Sequence, residues 1–146
     1  MTFQETRLKV KEIGPLDTPE KFYQAFCLWK DLAFPKPVVT VSIGIQHTMI
    51  TNYVSMMFHQ VDGNTVYTLQ VGENQVYEDD KLVKYVPCLF TPDNFVVNGY
   101  APPYRPFQYG GHVEKNFENI DLNNQEQVMS VIREYYDRIA DGMDNV

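Results

Sequence analysis

Between Phe34 and Val39 the spacing of apolar residues changes, and this change limits the fold more than any other feature of the chain. Before it, Phe22, Phe26, Trp29, Leu32 and Ala33 recur at three- and four-residue intervals, the signature of a helix with one buried stripe. Asp17-Thr18-Pro19-Glu20 supplies its start, with a capping oxygen, a proline where no amide donor is needed and a carboxylate at the positive helix end. Pro35 and Pro37 end it, because the residue before a proline is pushed out of the helical region. After the change, Val39, Val41, Ile43 and Ile45 alternate with Thr40, Ser42, Gly44 and Gln46. That is the period of a half-buried strand.

Period two dominates the middle of the chain. Arg7 to Ile13 already reads as a short strand, with Leu8 and Val10 alternating against Lys9 and Lys11 before Gly14-Pro15. The run Thr48 to Val61 fits a helix by the placement of Met49, Ile50, Tyr53, Val54, Met57, Phe58 and Val61. Its β-branched content and the following Asp62-Gly63 favour a strand entering a hairpin, which is the reading taken. Val66 to Val71 returns, Gly72-Glu73-Asn74 turns, Gln75 to Glu78 makes a short strand, Asp79-Asp80 turns again and Lys81 to Val86 completes a meander. Pro87 disrupts an edge or marks a bulge, and Asn94 to Val97 is a further strand.

The period changes back near the end. Asn124 with Gln127 resembles a capping box, Val128, Ile132, Tyr135 and Ile139 form a buried stripe, and Gly142 stops the helix. Hairpin-scale connections with helices at the two ends predict an α+β fold. Its antiparallel meander sheet has about five to six strands covered by an N-terminal and a C-terminal helix. Residues 1–146 form one domain. This element order is similar to that of helix-grip ligand-binding domains, a likeness that implies a pocket between sheet and C-terminal helix.

Composition bounds the partners. With 44% hydrophobic residues over 146 positions the chain can bury a core at a size where folding hides about two-thirds of the unfolded surface. A net charge of −7 opposes binding to nucleic-acid phosphates or anionic membranes. From Gly111 onward, eight acids (Glu114, Glu118, Asp121, Glu126, Glu134, Asp137, Asp141, Asp144) face three bases, Lys115, Arg133 and Arg138. They form a solvated helix face or a surface that steers a basic partner. Cys27 and Cys88, far apart with apolar neighbours and no secretory leader before them, are expected to be buried free thiols in a reducing, cytoplasmic setting.

The motifs for chemistry are sparse. His47 continues the apolar face of its strand, His59 precedes a hairpin and His112 follows a double glycine. No His-x-His, His-x-x-x-His or paired-cysteine spacing supports a metal site, and no cofactor is expected. Asp79-Asp80 is a turn pair rather than a catalytic dyad. Gly72 and Gly110-Gly111 open no helix after a strand, so they make no phosphate cradle.

The segment Asn98 to His112, NGYAPPYRPFQYGGH, gathers three prolines, three glycines and four aromatic rings without helix or strand periodicity. Stiff backbone and large rings of low side-chain entropy suit a recognition loop. The sequence therefore predicts a non-enzymatic protein–protein interaction module, an adaptor, assembly factor or inhibitor. It would engage a basic protein partner, with a homodimer as a further expectation, through Tyr100, Tyr104, Arg105, Phe107, Tyr109 and His112 beside an acidic helix. The alternative is a small apolar-ligand pocket of helix-grip type lined by His47, Met49, Met57 and His59. An enzyme using His47 or His59 as general base is a third reading.

Overall fold

The computed structural model describes residues 2–47, 52–89 and 111–144. Its elements are α1 (Phe3–Ile13), α2 (Pro19–Ala33), β1 (Val38–His47), β2 (Asn52–Asp62), β3 (Thr65–Glu78), β4 (Lys81–Leu89), β5 (Gly111–Asp121) and α3 (Gln125–Asp144). The class is α+β, with an antiparallel sheet, two N-terminal helices and one C-terminal helix. No helix among the described residues is long and apolar enough to cross a membrane.

The first expectation to fail is the strand at Arg7 to Ile13, which is helix α1. Thr2 caps it by accepting from Glu5 N at 3.1 Å. Thr6 is fully buried and Val10 and Ile13 pack on the core, whereas Leu8 is 55% exposed. Burial thus follows spacings of four and three, not two. An alternation of only a few residues is weak evidence against a segment rich in helix-forming Glu, Lys and Leu.

Helix α2 forms as its sequence dictates. Thr18 accepts from Lys21 N at 3.2 Å, Pro19 opens the first turn, and Phe22, Ala25, Phe26, Trp29 and Ala33 are buried. In α3, Asn124 caps by accepting from Gln127 N at 3.2 Å. The Gln127 side chain does not close a capping box; it accepts from Asp121 N at 2.9 Å instead and so ties the helix start to the end of β5. Gly142 does not stop α3, which runs on to Asp144.

The sheet order is β4-β3-β2-β1-β5. Among the described residues its meander comprises four strands, β1 to β4, fewer than the five to six expected. Gly72-Glu73-Asn74 makes no turn, because Gly72 pairs with Cys88 and Asn74 with Val86. The two short strands expected there are one, β3, pairing with β2 as far as Val71 and with β4 from Val71 onward. The run after Thr48 is a strand from Asn52. It turns through Gly63-Asn64, with Gly63 at φ +64°, the kind of two-residue hairpin that places glycine first. The expected strand at Asn94 to Val97 lies outside the described residues.

β5 was not anticipated. It lies within the stretch from about Gly99 to Asn123 expected to be irregular, and pairs antiparallel with β1 on the side away from β2. At its centre β1 is buried on both faces, with Val41 and Ile43 towards the helices and Ser42 and Gly44 away from them. The main core lies between helices and sheet, where Phe26 stacks on Phe58 with ring centroids 4.5 Å apart. Met57, Val66, Ser55 and Thr68 are buried on the opposite face.

Candidate functional site

Two register shifts in β5 build the site. Val39 pairs with Ile120 but Val41 with Phe117, and Ile43 pairs with Lys115 but Gly44 with Val113. Each shift gives β5 one residue more than β1, a bulge. Asn119, at φ +58°, takes the left-handed conformation that asparagine tolerates better than most residues. At the second bulge, strict alternation would send Lys115 and Val113 to one face and Glu114 to the other. The extra residue instead turns His112, Glu114 and Lys115 all towards α3.

Their partners follow from that aim. Lys115 Nζ lies 3.1 Å from Glu134 Oε1 and 4.8 Å from the Phe117 ring centroid. Arg138 bridges Glu114 at 3.1 Å and Glu134 at 3.3 Å. The chain Glu114–Arg138–Glu134–Lys115 thus laces the edge strand to the helix. His112, opposite Ile45, reaches His47 at the end of the neighbouring strand. His47 Nε2 and His112 Nδ1 are 3.1 Å apart, with ring planes inclined by 31°. The other nitrogen of His112, Nε2, faces Glu114 Oε1 at 3.6 Å.

Beside this histidine pair runs a groove of about 450 Å³ between the sheet and the last turns of α3. Its floor is apolar, made by Ile43, Gly44, Ile45 and Val54. Among the described residues its wall is charged, with Glu114, Glu134, Asp137 and Asp141 against Arg138, and Lys115 neutralises Glu134 from the strand side. The described lining contains no hydroxyl, thiol or imidazole.

The candidate residues read from the sequence divide between the two sheet faces. His47 and His112 come together at the rim of the groove. Met57 and His59 lie on the opposite face, where Met57 pairs with Ser42 and His59 with Thr40, so the sheet separates His47 from the other two described members of the expected ligand pocket. Met49 lies outside the described residues, as do Tyr100, Tyr104, Arg105, Phe107 and Tyr109. Glu114 and Arg138, counted only as surface charge, line the groove. The sole sequence signal for them was the concentration of acid after Gly111.

His59 belongs to a polar track that runs from the buried Ser42 to the exposed Asn116. Its Nε2 lies 3.0 Å from Ser42 Oγ, which donates to Asn116 Oδ1 at 2.6 Å. With the one Ser42 proton given to Asn116, His59 Nε2 must carry a proton and donate to Ser42. That order is opposite to the one by which a histidine activates a serine nucleophile. Burial lowers the His59 pKa from the ordinary 6.5, so the imidazole is neutral near pH 7 and the track serves to satisfy polar atoms inside the sheet.

Cys27 is a free thiol, half-buried rather than buried as expected. It hydrogen-bonds the Tyr23 side chain one helical turn away, and this contact raises the Tyr23 pKa. Among the described residues, no group of three or more His, Cys, Asp or Glu side chains is placed to hold a metal ion. Comparison with protein-family models, curated proteins and solved structures found no match to this chain.

Proposed function

We propose that the protein is a non-enzymatic binding module whose receptor site is the groove between β1, β5 and α3, and whose ligand carries a cationic group on an apolar stem. The observation that supports this reading is the pairing of an apolar floor with four carboxylates and one guanidinium in about 450 Å³. That volume falls within the range of small-molecule sites, in which apolar walls supply affinity and a few polar groups fix orientation. An ammonium gains from the excess of carboxylates, and its stem covers Ile43, Ile45 and Val54. A carboxylate ligand meets repulsion instead.

A basic protein partner is the second reading, favoured by the exposure of Asp137 and Asp141 on the last turns of α3, where a lysine or arginine side chain would meet two carboxylates. In that form the module is the cytoplasmic adaptor, assembly factor or inhibitor expected from the sequence, and homodimer formation is part of the same proposal.

Thermal unfolding with phenethylamine and with phenylacetate, which share a ring and differ in charge, tests the site. The amine is expected to raise Tm in wild type and to lose that effect in the Asp137→Asn/Asp141→Asn variant, while phenylacetate gives no rise. Equal effects of the two probes, or an amine effect that survives in the variant, would rule the groove out as a cation receptor.

A further inference from the structure

From the histidine pair at the end of β1 and β5 we infer a binding site for a divalent transition-metal ion, held by His47 Nε2 and His112 Nδ1 with Glu114 as the outer-shell carboxylate. The inference is independent of the ligand proposed for the groove. Imidazole nitrogens bind Zn²⁺, Cu²⁺ and Ni²⁺ at about 2.0–2.1 Å. Two nitrogens on one ion then stand about 2.9 Å apart at the right angles of square-planar or octahedral geometry and about 3.3 Å apart in a tetrahedron. The 3.1 Å between His47 Nε2 and His112 Nδ1 lies between these values. Small rotations of two exposed rings suffice to aim both lone pairs at one point.

The outer shell supplies a second, separate reason. A metal-bound histidine almost always donates its remaining N–H to a carboxylate, carbonyl or water, which fixes the tautomer and turns the ring. When His112 binds through Nδ1, its Nε2 carries the proton and faces Glu114 Oε1, at 3.6 Å in the metal-free arrangement. Glu114 is itself held by Arg138 at 3.1 Å through its other oxygen. In the metal-free pair one ring donates N–H to the other. On binding, that proton moves through water to the far nitrogen of the same ring, leaving both facing nitrogens with lone pairs. Water completes the coordination sphere, which accords with the lack of a third protein donor among the described residues. Imidazole donors select Zn²⁺, Ni²⁺ and Cu²⁺ over Mg²⁺ and Ca²⁺.

Titration calorimetry of tag-free protein with Ni²⁺ and Zn²⁺ at neutral pH, with Mg²⁺ as control, tests the site. One equivalent of either transition ion is expected to bind, and Mg²⁺ is expected not to. His47→Gln and His112→Gln should each weaken binding at least as much as loss of an outer-shell partner does, about 10–100-fold. Glu114→Gln should weaken it without changing the stoichiometry, and His59→Gln, on the other sheet face, should leave it unchanged. With Cu²⁺, electron paramagnetic resonance should show two equatorial nitrogens in wild type and one in either histidine variant. Absence of saturable binding, binding that survives His47→Gln or His112→Gln, or binding lost in His59→Gln would overturn the assignment.

Discussion

The Tyr136 hydroxyl donates a 2.6 Å hydrogen bond to the backbone carbonyl of Leu16, joining the C-terminal helix to the connection between α1 and α2 across 120 positions of sequence. Burial pushes the Tyr136 phenol pKa well upward, with Asp17 and Glu20 adding to the effect, so the group remains a neutral donor at any working pH. Tyr136→Phe keeps the ring that packs edge-on against Phe22 at 6.0 Å and removes only the donor. An unsatisfied, partly buried carbonyl costs about 1–2 kcal/mol. Urea denaturation is expected to show a loss of that size with an unchanged m-value. A change below the error of the fit would mean that water replaces the bond at no cost.

His59 makes stability depend on pH in a predictable direction. Its folded pKa lies below the unfolded value of 6.5, so on acidification the unfolded chain takes up a proton at this position before the folded chain does. The contribution is complete above the unfolded pKa, declines as pH falls through 6.5, and stops declining below the folded pKa. Between about pH 7.5 and pH 5, wild type is therefore expected to lose more stability than His59→Gln, which has no proton to gain there. Parallel pH profiles for the two proteins, measured by urea midpoint, would contradict the lowered pKa.

The β3–β4 hairpin turns through Asp79 and Asp80 at φ +51° and +63°, with Glu78 paired to Lys81. Two-residue turns with both central residues at positive φ strongly prefer Asn-Gly or Asp-Gly. Aspartate tolerates this region, but a side chain there costs free energy that glycine avoids. Both residues are exposed, so replacement sacrifices no packing. Asp79→Asn/Asp80→Gly is expected to stabilise the protein by about 1 kcal/mol, read as a higher thermal midpoint. A lower midpoint would show that the carboxylates contribute more than the relieved backbone.

Local patterns located most elements for identifiable reasons. The α2 stripe, its Thr18-Pro19 start, the β1 alternation and the β2–β3 hairpin are each encoded within about one or two turns of chain, where periodicity and capping act. The same rule misread α1, because Leu8 and Val10 alternate with lysines over too few residues to outweigh Thr6, Val10 and Ile13 at helical spacing. It also missed β5. An exposed edge strand with two bulges presents Glu114, Lys115, Asn116, Glu118 and Asn119 without an apolar period, so no local signal marks it as a strand.

The candidate site was legible only as parts. His47, His112 and the acidic C-terminal quarter were visible as residue types, and their separation of 65 positions concealed that two of them touch. What the sequence by itself determined is where helices start, which stripes are apolar, and that the chain alternates helix, sheet and helix, because these depend on neighbours within a few residues. Only the tertiary structure decided that β5 adds to β1 rather than to the far edge, and that a bulge turns His112, Glu114 and Lys115 together towards α3. It likewise placed His59 and His47 on opposite faces. Strand partners and registers are chosen by burial and hydrogen bonding between distant segments, and no local pattern carries that choice.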